Sequence, residues 1–164
     1  MVSASDLEQF PIFSGLDQGL LSDIARLCSK RTYRVGEICV TEGGMAEYLF
    51  LLEKGSIALE RKLPENWLPS GSEGHNAVYT VNEKEIFGWS SLIEPGKHTA
   101  RGRCSQDCQV IAINGKQLLS VLDKSPQASY QFMKRLATVI ALRLIDTSNS
   151  LIREMTDFAA YRAM

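Results

Sequence analysis

The apolar positions change period twice along the chain. Between Asp6 and Ser29 they keep helical spacing in two pieces divided by Pro11 and Gly15. Leu20, Leu21, Ile24, Leu27 and Cys28 form one buried face of the second piece, and Asp17 is placed to cap it. From Arg31 the runs become short: Arg31 to Arg34, Ile38 to Thr41, Tyr48 to Glu53 and Ser56 to Lys62, with turn residues at Gly36, Gly43-Gly44 and Gly55. Ala77 to Val81 resumes the pattern. His98 to Cys104 sets His98, Ala100, Gly102 and Cys104 on one face against Thr99, Arg101 and Arg103 on the other, a face expected to be solvated, and Cys108 to Ile113 closes the series. Short strands at this spacing predict an antiparallel roll or sandwich.

Helical spacing then returns. Asn114 is placed to cap a helix, with Gln117 three residues later, and Ser125-Pro126 marks a second start with proline at the first helical position. The long helix that follows has two apolar stripes. Phe132, Leu136 and Val139 would lie on the roll. Met133, Ala137, Ile140, Leu144, Thr147, Leu151 and Phe158 repeat at spacings of four and three, which asks for a partner helix. The cluster Thr147-Ser148-Asn149-Ser150 has poor helix propensity and leaves open whether the helix ends, kinks or continues there. Residues 1–125 and 126–164 are therefore expected to form a helix-flanked β-roll and a long C-terminal dimerisation helix.

The stretch from Ile86 to Cys104 carries the candidate chemistry. It reads as a strand end at Ile86-Phe87, a turn at Gly88, one short helical turn from Ser90 to Ile93, a Pro95-Gly96 break and a new strand from His98. A glycine at the head of a short helix lets backbone N–H groups converge on an anion. The run Phe87-Gly88-x-x-x-Leu92, with Thr99-Ala100 opening the next strand, resembles the phosphate-binding cassette of cyclic-nucleotide-binding domains of the catabolite-activator type. Tyr33 to Ile38, Glu42-Gly43, Tyr48 to Leu52 and Glu53 to Ile57 fall in the order of that family's β-roll. The resemblance runs from Leu7 into the long helix. It implies a mainly β fold with flanking helices, an antiparallel jelly-roll or double-stranded β-helix, a two-fold dimer through the C-terminal helix, and a non-enzymatic sensor or regulatory module.

The cassette departs from the nucleotide-binding form of the family it resembles. Where those members place a glutamate for the ribose hydroxyl, this chain has Trp89. Where they place an arginine for the cyclic phosphate, it has His98. An indole cannot accept from a hydroxyl, and a neutral imidazole is no substitute for a bidentate guanidinium. Val139 and Ile140 align where relatives offer hydroxyls to the base. These exchanges argue against cyclic AMP or cyclic GMP. Gly88, Ser90, Ser91, Thr99 and Ala100 remain, so two readings stay open: a sensor of a small anionic effector, or a ligand-free dimerising scaffold whose pocket is plugged by Trp89 and His98.

Composition narrows the alternatives. The 164 residues, 45% of them hydrophobic, suit one core, and a formal net charge of −1 gives no reason to expect nucleic acid or an acidic membrane surface. The family's transcription factors continue into a helix-turn-helix module; about a dozen residues follow Leu151, so no DNA reading is expected. The N-terminus lacks signal-peptide character and the apolar segment Leu136 to Ile145, which carries Arg143, is short of a span, so a soluble cytoplasmic protein is expected. Cys28, Cys39, Cys104 and Cys108 show no Cys-x-x-Cys spacing and read as reduced thiols; a Cys104–Cys108 bridge across a short turn is the less favoured arrangement. The two histidines, His75 and His98, form no His-x-His pair, and no Ser-His-Asp or Cys-His arrangement is visible, so neither a metal nor a catalytic residue is expected. The loop from Leu63 to Asn76 is longer than a tight hairpin, and its Trp67 reads as a lid, a dimer contact or a cover for local apolar surface.

Overall fold

The computed structural model describes residues 1–64, 66 and 74–162, with side chains of the last helix through 153 and at 155–156. Trp67 and the side chain of Phe158 lie outside the described residues. The expected N-terminal helices form as α1 (Ala4–Glu8) and α2 (Gln18–Arg26), with a 3-10 turn at Pro11–Phe13 between them. The Asp17 carboxylate accepts from the N–H groups of Gly19 at 2.8 Å and Leu20 at 3.1 Å, which satisfies two donors that the first turn of α2 cannot pair internally.

Among the described residues eight antiparallel strands follow: β1 (Cys28–Tyr33), β2 (Ile38–Val40), β3 (Tyr48–Lys54), β4 (Ile57–Lys62), β5 (His75–Val81), β6 (Ile86–Phe87), β7 (Arg101–Cys104) and β8 (Cys108–Asn114). They make two four-stranded sheets, ordered β1-β8-β3-β6 and β2-β7-β4-β5. The expected mainly β roll with flanking helices is thus the observed fold. β3 shows why a nearly unbroken apolar run, Leu49-Phe50-Leu51-Leu52, suits this position. Leu49 and Leu51 join the core under the helices with Phe13, Ile111 and Phe132, while Phe50 and Leu52 join the core between the sheets with Ile57, Phe87 and Val110. A strand buried on both faces loses the polar alternation of a half-exposed one.

Local expectations change in places. Cys28 and Ser29, expected to end the second helical piece, open β1 instead. β7 starts at Arg101 rather than His98, because His98 spends both backbone groups on the Gly43-Gly44 turn: its N–H donates to Gly44 O at 2.9 Å and its carbonyl accepts from Gly43 N at 2.8 Å. Arg101 and Arg103 are not simply a solvated face. Both reach Glu60 on β4, Arg101 Nε at 2.7 Å and Arg103 Nη2 at 2.7 Å, and Glu60 is only 4% exposed. Burial alone would raise the Glu60 pKa; the hydrogen bonds from Arg103 and Arg101 more than offset it and hold the carboxylate below its usual range. The four cysteines are free, with burial pushing the Cys28 thiol up to about 12 and the Cys39 thiol up to about 11.

After β8, α3 (Gly115–Leu122) starts on the expected Asn114 cap, whose side chain accepts from Gln117 N at 3.1 Å. The last helix, α4 (Pro126–Arg162), is continuous through Thr147 to Ser150. There the Thr147 hydroxyl donates to Arg143 O and the Ser148 hydroxyl to Leu144 O, both at 2.8 Å, so these side chains fold back on the helix instead of ending it. Phe132 and Leu136 are buried with Val139 packed beside them, while Met133, Ile140, Leu144 and Leu151 are exposed. No described helix is long and apolar enough to cross a membrane.

A close backbone approach fixes α3 against the turn that follows β6. A Cβ built on Gly115 would stand 2.4 Å from Ser91 O, whereas one on Gly43, at φ +76°, would meet nothing within 4 Å. Gly115→Ala should therefore cost about 3 kcal/mol by overpacking, despite the better helix propensity of alanine. Gly43→Ala should cost only the left-handed backbone penalty of about 1 kcal/mol. Urea midpoints of the two variants check this; equal losses would contradict the tight seam at Gly115.

Candidate functional site

Gly88 ends β6 in the left-handed region (φ 75°, ψ 20°), and the 3-10 turn Trp89–Leu92 follows directly. Only a residue without a side chain fits, because a Cβ on Gly88 would stand 2.8 Å from Tyr48 O on β3. Gly88 O accepts from Ser91 N at 3.1 Å. Ser90 is 8% exposed and the buried Ser91 hydroxyl has no hydrogen-bond partner among the described residues. Thr99 is exposed and Ala100 half-buried, in the bend before β7.

Trp89 and His98 do not share a pocket. Trp89 packs against the helix-side core and meets Arg143 of α4, whose guanidinium lies 4.4 Å from the indole and 4.1 Å from the Tyr79 ring. Arg143 is 8% exposed and donates through Nη2 to Ile86 O at 3.0 Å. Burial lowers its pKa, opposed first by Tyr79 and then by Glu85. Tyr79 is held in turn by its hydroxyl, which donates to Glu85 Oε1 at 2.9 Å.

His98 faces a separate niche of about 240 Å³, bordered by Arg31, Thr41, Glu47, Tyr48 and Phe50. Arg31 lies over the Tyr48 ring at 4.2 Å, which fixes its guanidinium at the wall of the niche. Burial lowers the His98 pKa, so the ring is neutral at pH 7, and no other group moves it. A neutral imidazole keeps one N–H to donate, and Arg31 and Thr41 add donors, so this wall can hold a small anion. Val139 lines a groove between α4 and the N-terminal segment that Arg143 and Ile86 also border, and Ile140, 38% exposed, turns outward. The nine expected site residues are therefore spread over the cassette turn, the His98 niche and the α4 surface.

Sequence reasoning singled out neither Arg31, Tyr48 nor Tyr79 as site residues, and noted Arg143 only as a charge inside an apolar segment. The one available signal was Arg143 itself, a charge on the buried side of an otherwise apolar helical stretch. No group of three or more His, Cys, Asp or Glu residues suited to a metal ion occurs among the described residues.

Comparison with known proteins bears on the fold. A putative cyclic nucleotide-binding protein from Geobacter metallireducens superposes with a TM-score of 0.72 at 26% identity, covering 88% of this chain and 99% of that one. A cyclic nucleotide-binding domain from Methylobacillus flagellatus shares the fold, with a TM-score of 0.77 at 16% identity over 93% of this chain and 86% of its own. Among characterised proteins, Glutaminase 1 of Bradyrhizobium diazoefficiens is 27% identical over 86% of this chain, and Cyclic GMP-binding protein C of Dictyostelium discoideum is 26% identical over 73%. The chain spans only 21% and 5% of those two proteins. The Cyclic nucleotide-binding domain family matches residues 30–125, more than half the chain, across both sheets, the cassette turn and α3. With that match and the two-sheet roll closed by a long helix, this chain belongs to the cyclic nucleotide-binding domain family.

Proposed function

We propose that the domain is a non-enzymatic sensor whose effector is a small anion rather than cyclic AMP or cyclic GMP, and that it works as a homodimer through α4. The observation that carries the effector reading is the niche where a buried, neutral His98 stands with Arg31 and Thr41. These donors suit a compact anion. Trp89 offers no acceptor for a ribose hydroxyl, and its ring is already engaged by Arg143. Gly88, Ser90, Ser91, Thr99 and Ala100 frame the cassette side of this reading. The engaged Trp89 also favours a second reading, in which the fold serves as a ligand-free dimerising scaffold for a downstream protein partner. Neither reading calls for DNA or membrane binding. We further propose that residues 1–125 act as the sensing unit and 126–164 as the dimerisation helix.

In the dimer reading, the exposed stripe Met133, Ile140, Leu144 and Leu151 covers its copy across a two-fold axis. Coupling requires that the effector bind one arrangement of the two helices better than another.

Titration with inorganic phosphate should raise the melting temperature, approaching the equivalent of ~2.7 kcal/mol at a hundredfold excess over Kd. Cyclic AMP, cyclic GMP and cyclic dinucleotides should raise it little. His98→Gln and Arg31→Gln should each abolish the phosphate effect. Micromolar heats with cyclic AMP would overturn the effector reading, and no shift with any of these ligands would leave the scaffold.

The pH dependence follows from the lowered His98 pKa. As pH falls below the unfolded value of about 6.5, the unfolded chain binds a proton that the folded ring refuses, so stability is lost with falling pH. The drop in urea midpoint between pH 7.5 and 5.5 should therefore shrink in His98→Gln, and an unchanged drop would show that His98 is not held neutral.

Sedimentation should report a dimer for the parent chain and a monomer for Leu144→Glu, which places a charge on the proposed seam. A monomeric parent at micromolar concentration would remove the dimer from the proposal.

A further inference from the structure

A second cavity, about 760 Å³ in volume, lies between the N-terminal segment, the β5–β6 turn and α4. Its walls are largely apolar, formed by Pro11, Ile12, Ile86, Val139 and Leu142. Three cations and three acids also border it: Lys84, Arg135 and Arg143 against Glu8, Glu85 and Asp146. Which of them lack partners decides what the cavity would hold.

The acids are mostly committed. Glu8 accepts from Gln18, and Glu85 accepts from the Tyr79 hydroxyl and from Asn82 N. Asp146 is exposed, and its charge, like that of Glu85, acts on Arg143 without a hydrogen bond to it. Lys84 donates to Gln9. The unmet groups are donors. Arg143 Nε and Nη1 and Arg135 Nη1 are buried with no hydrogen-bond partner among the described residues. The Tyr79 and Trp89 rings lie 4.1 and 4.4 Å from the Arg143 guanidinium, the Tyr79 hydroxyl also acts on it, and Ile86 O takes Nη2, which leaves Nε and Nη1 to an acceptor that the cavity could supply.

We propose that this cavity binds an amphipathic organic monocarboxylate, with its carboxylate at the Arg143 end and its apolar body along Ile12, Val139 and Leu142. A planar carboxylate matches a guanidinium fork, and an apolar body suits a cavity of this size and lining. The three acids at the border disfavour a dianion. Burial already pulls the Arg143 pKa down, so an incoming negative charge relieves a cation held out of water. Because Arg143 also touches Trp89 and Ile86 at the head of the cassette, occupancy alters the surroundings of the indole. The site is independent of the His98 niche.

The test uses the full chain carrying Trp67→Phe, which leaves Trp89 as the single tryptophan of the two in the sequence. Octanoate and phenylacetate supply charge and body, octanol the body alone, and inorganic phosphate a charge without a body. Trp89 fluorescence and melting temperature are read together. At least one carboxylate should give a saturable change in both, with octanol about tenfold weaker or worse, as expected for the loss of a charge-assisted hydrogen bond worth ~1.5–3 kcal/mol. Leu142 is 58% exposed, so Leu142→Glu puts a carboxylate on the wall without emptying the core; it should weaken binding by about tenfold or more. Arg135→Gln should weaken it severalfold, and His98→Gln should leave it unchanged. Failure of both carboxylates to saturate, equal binding of octanol, or insensitivity to Leu142→Glu would overturn the site. Loss of carboxylate binding in His98→Gln would assign it to the niche instead.

Discussion

A guanidinium that leaves water gives up several kcal/mol of solvation unless its surroundings replace it, and Arg143 has left water almost entirely. Two aromatic faces and one backbone carbonyl take over that role: Tyr79 from β5, Trp89 from the cassette turn and Ile86 O from β6. A desolvated cation–π contact is worth about 2 kcal/mol, so neither ring alone suffices and the stack works as a unit. Because its parts come from the roll, the cassette and the long helix, this cation fixes where α4 lies against the roll. Sliding α4 by one turn would strand the charge between rings that no longer face it.

The stack also explains what a tryptophan is doing in the cassette. An acidic side chain at position 89 would point a carboxylate at Arg143 and form an ion pair, whereas the indole offers a face and leaves the guanidinium nitrogens uncommitted. Two buried donors on Arg143 therefore border the α4 cavity with no hydrogen-bond partner among the described residues. His98 is held by backbone hydrogen bonds to the Gly43-Gly44 turn, and among the described residues its ring has no side-chain hydrogen-bond partner. The exchanges at 89 and 98 thus act in different places, and one ligand seated across both would have to span the cassette turn.

Much of the roll was legible in the sequence because it depends on local signals. Asp17 and Asn114 cap helices with their own side chains, and the glycines at 36, 43, 55 and 88 all take positive φ. The start of β7 was not legible, since it is decided by a turn more than fifty residues away, at Gly43-Gly44, although the alternation of Gly102 and Cys104 against Arg101 and Arg103 was. Glu60 gave no sign of its burial, because a carboxylate in a strand looks solvent-facing until two arginines from another strand close on it. The Arg143 stack failed for the same reason: its three partners sit on elements that the chain brings together only in the folded state. The Thr147 to Ser150 cluster left the course of the helix open, since composition does not show that its hydroxyls return to the preceding turn, where they cost the helix little.

The continuity of α4 gives the arginine a mechanical role. Thr147 bonds back to the carbonyl of Arg143 itself, so the helix past the cluster moves with the buried charge instead of swivelling independently. Leu144 and Leu151, exposed on that same rigid segment, carry any shift of Arg143 to the proposed seam. A helix rises 1.5 Å per residue, so even a displacement well short of a full turn changes which side chains of two crossing copies meet. The domain therefore needs no hinge within α4 to pass a signal. Under the proposed sensor reading, an effector would move the helix only if it bound more tightly with the Tyr79–Arg143–Trp89 contacts rearranged than with them closed.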